Sequence, residues 1–281
     1  MQKYYKKYAA VFLLPLVICF TIAFLIPFFM GIFFSFTKYK AVNNWSWTGI
    51  QNYQRAFSTE YGTPSFWIAL GRTTLFAAIC IITINFNAFR LALLLTKGLK
   101  GSNVYRSIFF RPNLIGGIIL GYIWRVLLNG ILLQFNQNLS SNPWYGFFGL
   151  VILMNWQQVG YRMIIYIAAL RNVPTDLNES ASIDGASKFQ TTRHVTIPMV
   201  IPSFTICSFL TLSNSYKLYD QNLALSGLSP QTNLLAADIV FTTIPNGNLG
   251  PQQAKAVVFF LIVAAISGIQ VRATRKKEVE A

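Results

Sequence analysis

The sequence predicts an all-α polytopic membrane protein with six transmembrane helices and a polar cytoplasmic helix–turn–helix between the fourth and fifth. Three observations carry this reading. Hydrophobic residues make up 54% of the 281-residue chain and charged residues only 11%, whereas a soluble domain carries about 25% charged residues. Six apolar runs approach or exceed the ~20 residues that cross a bilayer as a helix, near 9–36, 66–96, 107–129, 147–170, 199–219 and 252–272. Lysine and arginine alternate in density from one connection to the next, which orients such a chain. The expectation is one transmembrane domain over 1–281.

The first run follows Lys3, Lys6 and Lys7. It is too long for a signal-peptide core and no small-x-small cleavage pattern follows, so it reads as a retained span. The connection 37–65 contains Trp45, Trp47, Tyr53, Phe57 and Tyr61; it is expected to be folded, with aromatic rings at the headgroup level. Lys97, Lys100, Arg106 and Arg111 surround the second connection. In the third span Gly117 and Gly121 form a G-x-x-x-G pair, with Gly116 beside it, which suits a close helix–helix seam. The stretch from Asn129 to Gly146 is uncharged, and Trp144 and Tyr145 precede the fourth span. Residues 220–251, with Gly227, Pro230, Pro245, Gly247, Gly250 and Pro251, read as a loop with short structured pieces.

On a six-span count the N-terminal lysines, the second connection, Arg171, Lys188 and Arg193 in the fourth, and Arg272, Arg275, Lys276 and Lys277 all share one side. The other side holds only Lys38, Lys40, Arg55 and Lys255. Both termini are therefore expected in the cytoplasm. The same asymmetry accounts for the net charge of +15 without invoking nucleic acid.

Charged groups inside the runs are Arg72, Arg90, Arg125, Arg162 and Lys217, with Asp220 at the end of the fifth. Such groups are costly in lipid and need a partner, a wet path or an interface to snorkel to. Lys217 and Asp220, three apart, read as a pair on one helix. Cys19, Cys80 and Cys207 are widely spaced within apolar runs, and His194 is the only histidine. That excludes a disulfide framework, a histidine relay and a metal cluster.

Between the fourth and fifth runs the chain turns polar. Pro174 closes the fourth pattern, and Asp176 with Glu179 three residues later resembles a capping box opening a short helix. Leu177, Ala181 and Asp184 share one side of that helix. Asp184–Gly185 ends it where positive φ is cheap. A second helical piece runs to about His194, and Pro198 opens the fifth span. The small side chains of Ser180, Ala181, Ser182, Gly185 and Ala186 suit the close approach of a partner.

This segment resembles the E-A-A-x3-G-x9-I-x-L-P motif of ABC importer permeases. Here it reads Glu179-Ser180-Ala181, three residues, Gly185, nine residues, Val195-Thr196-Ile197-Pro198. The spacing matches throughout; Ser180, Val195 and Ile197 are the departures. "IDGAS" at 183–187, "FFRPNLIGG" at 109–117 and "YDQNLALSG" at 219–227 are similar to the carbohydrate-uptake branch, of the maltose and multiple-sugar type. The resemblance implies that the polar segment, at about 174–198, is a coupling helix. Glu179, Ser180, Ala181, Asp184, Gly185 and Pro198 would then couple to a separate dimeric ATP-binding subunit. It further implies a second permease subunit, an extracytoplasmic solute-binding protein, a bacterial plasma membrane location and a sugar substrate. No G-x-x-x-x-G-K-[ST] phosphate loop occurs, so the chain is expected to be neither an enzyme nor a nucleotide binder. ATP and magnesium would be used by the partner, and no catalytic or metal site is expected here.

By the same resemblance, sugar contacts fall on the spans flanking the coupling helix: Gln157, Gln158 and Tyr161 on the fourth, then Ser213, Asn214 and Lys217 on the fifth. Amides offer both donors and acceptors to a polyol, and an aromatic ring packs on a sugar face. Interhelical hydrogen bonding by the same amides is the alternative. An anionic sugar (a uronate or sialic acid) or a glycerol phosphate ester is the alternative substrate, prompted by Lys217 and Arg125. Arg90, Arg111 and Arg125 depart from the family pattern.

Overall fold

The computed structural model describes residues 2–41, 44–57, 66–227, 232–241 and 247–275. Tyr61, Pro230, Pro245, Lys276 and Lys277 lie outside them, as do the side chains of Lys3, Lys6, Lys7 and Arg275. The chain divides into two compact units, one of residues 1–65 with 242–261, the other of residues 66–241 with 262–281.

In the first unit, α1 (Gln2–Phe20) passes through a π-helical turn, Thr21–Leu25, into α2 (Ile26–Ser35). A β-hairpin follows, β1 (Thr37–Ala41) antiparallel to β2 (Asn44–Trp47), with Thr37 opposite Trp47 and Tyr39 opposite Trp45. The described part of the 37–65 connection, 37–41 and 44–57, is thus folded, but partly as strand, where an all-helical chain was expected. Aromatic packing explains the strand: Tyr39 stacks on Phe34 at 4.1 Å, Trp47 on Phe36 at 5.9 Å, and Trp45 meets Phe33 edge-on at 5.1 Å. Period-two alternation lets these rings return to the helix end. Next comes α3 (Gln51–Phe57), from which Asn52 Nδ2 donates to the carbonyls of Ser35 and Thr37 at 2.9 and 2.7 Å. The Ser35 carbonyl is among those that the end of α2 leaves without a helical partner, and Thr37 opens β1. Gly250, at the start of α13 (Gly250–Arg275), packs so closely that a Cβ there would overlap Asn52 and the Thr37 carbonyl.

The second unit is built on α4 (Phe66–Leu95), α7 (Pro143–Arg171) and α10 (Ile197–Tyr216). Phe76, Cys80, Ile84, Ala88, Ala92 and Leu95 form a buried stripe along α4, the i, i+4 row of one helix face. Against it pack Phe147, Leu150, Met154, Met163 and Tyr166 of α7. Tyr166 donates to Asn85 Oδ1 at 2.6 Å, and Asn155 Nδ2 donates to Thr83 Oγ1 at 2.9 Å.

Between α4 and α7 lie α5 (Ser102–Phe110), a 3-10 turn at Arg111–Leu114, and α6 (Gly117–Leu133). The third run, expected as one span over 107–129, is instead broken, with a bend of 100° between its halves. Pro112 sits in the 3-10 turn, and Ile115 and Gly116 are extended, with ψ of 131° and 141°. A proline followed by extended residues cannot carry the helical hydrogen-bond ladder across this point.

Among the described residues, four helical segments are long and apolar enough to cross a membrane: Val11–Ser35, Phe66–Leu95, Lys188–Tyr216 and Gly250–Thr274. The bent pair makes a fifth if counted as one span. The helix α7, which holds the expected fourth span, is not among them. It carries Asn155, Gln157, Gln158 and Arg162 at mid-length, and the last three are buried. The remaining short helices are α8 (Thr175–Ile183), α9 (Lys188–Thr191), α11 (Asp220–Ser226) and α12 (Leu235–Phe241). The last two are the structured pieces expected within 220–251.

Candidate functional site

The polar segment after α7 is a helix–turn–helix, though its first helix starts differently from the sequence expectation. Pro174, with φ −58° and ψ 134°, occupies the N-cap, and no side chain caps the helix. Asp176 lies inside the first turn and forms no capping box with Glu179. The proline holds the chain extended until Thr175, leaving Asp176 already helical. Near the helix start its carboxylate still faces the positive end of the backbone dipoles.

The helix ends as the Asp184–Gly185 pair suggests. Gly185 has φ of +77°, Ala186 N donates to Ala181 O at 2.9 Å, and Gly185 N donates to Ser182 O at 3.2 Å. This pair of bonds is a Schellman closure. The capping box sits at the next helix: Ser187 Oγ accepts from Gln190 N at 3.3 Å, and Gln190 Oε1 accepts from Ser187 N at 2.8 Å. Instead of ending near His194, this second piece continues through a π-helical turn, Thr192–Thr196, directly into α10. From Lys188 to Tyr216 the chain is thus continuous helix.

Glu179, Ser180, Asp184 and Gly185 are exposed, while Ala181 and Pro198 are half-buried. Ala181, Asp184, Gly185, Ala186, Gln190, Thr191, His194 and Val195 line a concavity of about 400 Å³. Two apolar residues that the motif did not single out flank the turn, Ile183 at 86% and Phe189 at 71% exposure. Both are apolar side chains standing out of a polar segment.

The second group of residues divides in three. Gln158 Oε1 accepts from Asn214 Nδ2 at 3.4 Å, joining α7 to α10, and accepts also from Arg162 Nη1. Gln157 belongs to a different set: its Oε1 accepts from Gln221 Nε2 at 3.0 Å and its Nε2 donates to the Ile115 carbonyl at 3.3 Å. Tyr161 is 36% exposed, with Phe110 6.4 Å from its ring, while Ser213 is half-buried. Lys217 is exposed at the C-cap of α10. Because the helix stops there and α11 begins only at Asp220, Lys217 and Asp220 do not share the helical face on which the sequence paired them.

Arg162 was read only as a costly charge within a run, while Gln221 and Gly160 escaped the sequence reading. Arg162 does not snorkel: it is 1% exposed, held between Gln158 and the ring of Tyr161. The signal was its i, i+4 spacing from Gln158. Gln221 becomes a partner only through the fold. Gly160 admits α5 so closely that a Cβ would overlap the Phe109 carbonyl. The G-x-x-x-G pair does form a seam, with α11 as partner: Cβ atoms at Gly117 and Gly121 would stand 2.8 Å from Asp220 Cβ and 2.7 Å from Ala224 Cβ. Of the arginines set apart in the sequence, Arg90 lies over the Phe86 ring at 5.2 Å, and Arg125 stands beside Gly227. Arg111 is exposed at the start of the 3-10 turn.

Residues 100–278 match the family model described as binding-protein-dependent transport system inner membrane component. The chain is similar to the probable starch degradation products transport system permease protein AmyD of Thermoanaerobacterium thermosulfurigenes, with 41% identity over 280 residues that cover 96% of this chain and 94% of that one. It is 26% identical to the multiple sugar-binding transport system permease protein MsmF of Streptococcus mutans, over 98% and 97% of the two chains. It is 27% identical to the arabinooligosaccharides transport system permease protein AraP of Bacillus subtilis, over 96% and 90%. Among solved structures, the fold is similar to a chain of a bacterial ABC transporter involved in the import of the acidic polysaccharide alginate. The TM-score is 0.79 at 18% identity, covering 98% of each chain.

Proposed function

The chain belongs to the family of binding-protein-dependent transport system inner membrane components, and from that premise we propose that it is a permease subunit of an ATP-driven importer of oligosaccharides. Likeness over nearly the whole chain to a permease named for starch degradation products carries the sugar assignment. On this reading six spans cross a bacterial plasma membrane with both termini cytoplasmic. The broken third run makes one crossing and α7 makes another, its polar groups turned inward.

The exposed segment from Thr175 to Thr196 is the coupling element. A separate dimeric ATP-binding subunit seats on the concavity at Gly185, with Ile183 and Phe189 as apolar anchors. Closure of that subunit on ATP moves the segment, and the helix running unbroken into α10 carries the movement to Ser213 and Asn214. Sugar arrives from an extracytoplasmic binding protein and passes between this chain and a second permease subunit by alternating access. Gln157, Gln158, Tyr161, Ser213, Asn214 and Lys217 are the candidate contacts; the Gln158–Asn214 pair joins the two helices that flank the coupling element.

Co-purification of the tagged chain with its ATP-binding and permease partners tests this. Nothing lies within 4 Å of a Cβ built on Gly185, so a larger side chain there meets a partner rather than this chain. Its φ of +77° strains most residues, but asparagine tolerates it. Gly185→Trp is expected to lose the ATP-binding subunit while keeping the second permease; Gly185→Asn is expected to keep both. Retention of the ATP-binding subunit by Gly185→Trp would refute the proposed seat.

A further inference from the structure

Among the described residues Arg162 heads the largest fully buried side chains, and it stands at the meeting point of three candidate sugar contacts. Its Nη1 donates to Gln158 Oε1, the same oxygen that accepts from Asn214 Nδ2 at 3.4 Å. Its guanidinium carbon lies 5.2 Å from the centroid of the Tyr161 ring. Its Nε and Nη2 are buried and have no hydrogen-bond partner. A buried cation this poorly satisfied is costly in a membrane helix and marks function by default.

We infer that Arg162 is a positioning residue that sets the sugar selectivity of this permease, an inference that rests on the sugar-importer reading above. The chemistry follows from the shared oxygen. With Oε1 of Gln158 occupied by two donors, the amide is locked in one orientation and turns its Nε2 away from them as a donor. Asn214, whose Nδ2 is directed at that oxygen, keeps Oδ1 as an acceptor. The pair then offers one fixed donor and one fixed acceptor, a pattern that discriminates between hydroxyl arrangements where a freely flipping amide would not. The guanidinium also holds the Tyr161 ring through cation–π attraction. The planar, forked guanidinium of arginine suits both contacts at once, whereas a lysine ammonium is a compact point charge without that fork.

The test uses the complete transporter, with both permeases, the ATP-binding subunit and saturating binding protein, in proteoliposomes. Uptake of radiolabelled maltose, maltotriose and arabinotriose is compared for the wild type, Arg162→Lys and Arg162→Met. A positioning role changes the ratios among the three rates by about fivefold or more, with Lys failing to restore them. A merely structural role lowers all three by one factor, and unchanged ratios would overturn the inference. If Arg162→Met does not assemble, a double-mutant cycle of Arg162→Lys with Asn214→Ala decides: non-additive effects on the ratios support coupling, and additive ones overturn it. Failure of the wild type to take up any of the three sugars would instead overturn the oligosaccharide reading beneath it.

Discussion

At the scale of single residues, burial and close approach assign roles that residue type alone does not. Gly160 illustrates this best. It lies within "QQVGYR", with no second glycine at helical spacing to flag it, yet the Phe109 carbonyl occupies the place of a Cβ. Because the obstacle is backbone, the whole of α5 must shift to admit one methyl group. Gly160→Ala is therefore expected to destabilise the protein by about 1–3 kcal/mol, read as a lower melting temperature in detergent. An unchanged melting temperature would mean that α5 is free to move. Gly117 and Gly121, by contrast, were legible as a seam from their spacing, though not the identity of α11 as the partner. Arg162 shows the same limit. Its spacing from Gln158 was visible, but a snorkelling arginine and a buried one look alike in sequence, because only packing determines whether the side chain can reach an interface.

At the scale of elements, the turn chemistry around the polar segment was half legible. Gly185 closes α8 as its type predicts, whereas the cap expected at Asp176 is displaced by Pro174, and the true capping box is Ser187 with Gln190. Ser187→Ala removes an acceptor from α9 and is expected to cost about 1 kcal/mol locally. Hydrogen exchange at the amides of residues 188–191 should speed up severalfold, with α7 unaffected; unchanged exchange would show that the box contributes nothing. The two π-helical turns share a cause that the sequence also contains. Each occupies the positions six to two residues before a proline, Thr21–Leu25 before Pro27 and Thr192–Thr196 before Pro198. A proline displaces the carbonyl four residues back, and the wide turn reroutes the ladder around it. Pro15 and Pro202 lie within ordinary α-helix, so the proline invites this turn without compelling it.

At the scale of the whole molecule, orientation is the most direct consequence of the charge asymmetry. Cys80 and Cys207 are buried, and Cys19 lies in the first apolar helix, so new cysteines at exposed Ser140 and Lys188 can be labelled selectively. An impermeant maleimide is expected to label Ser140→Cys in intact cells and Lys188→Cys only in inside-out vesicles. Labelling of both from one side would rule out the six-span arrangement.

Apolar run length, the alternation of basic connections and the spacing from Glu179 to Pro198 determined by themselves that this is a membrane helix protein with a polar helical segment between two of its apolar runs. These signals are local or periodic, and both lipid and helix geometry read them directly. Tertiary structure alone decided that the third run breaks by 100°, that Gln157 and Gln158 serve different partners, and that Arg162 is enclosed. Each of these depends on which helix lies beside which, through contacts between residues tens of positions apart: Gln158 with Asn214, Gln157 with Gln221, Gly160 with Phe109. Packing of that kind leaves no period in the chain to be read.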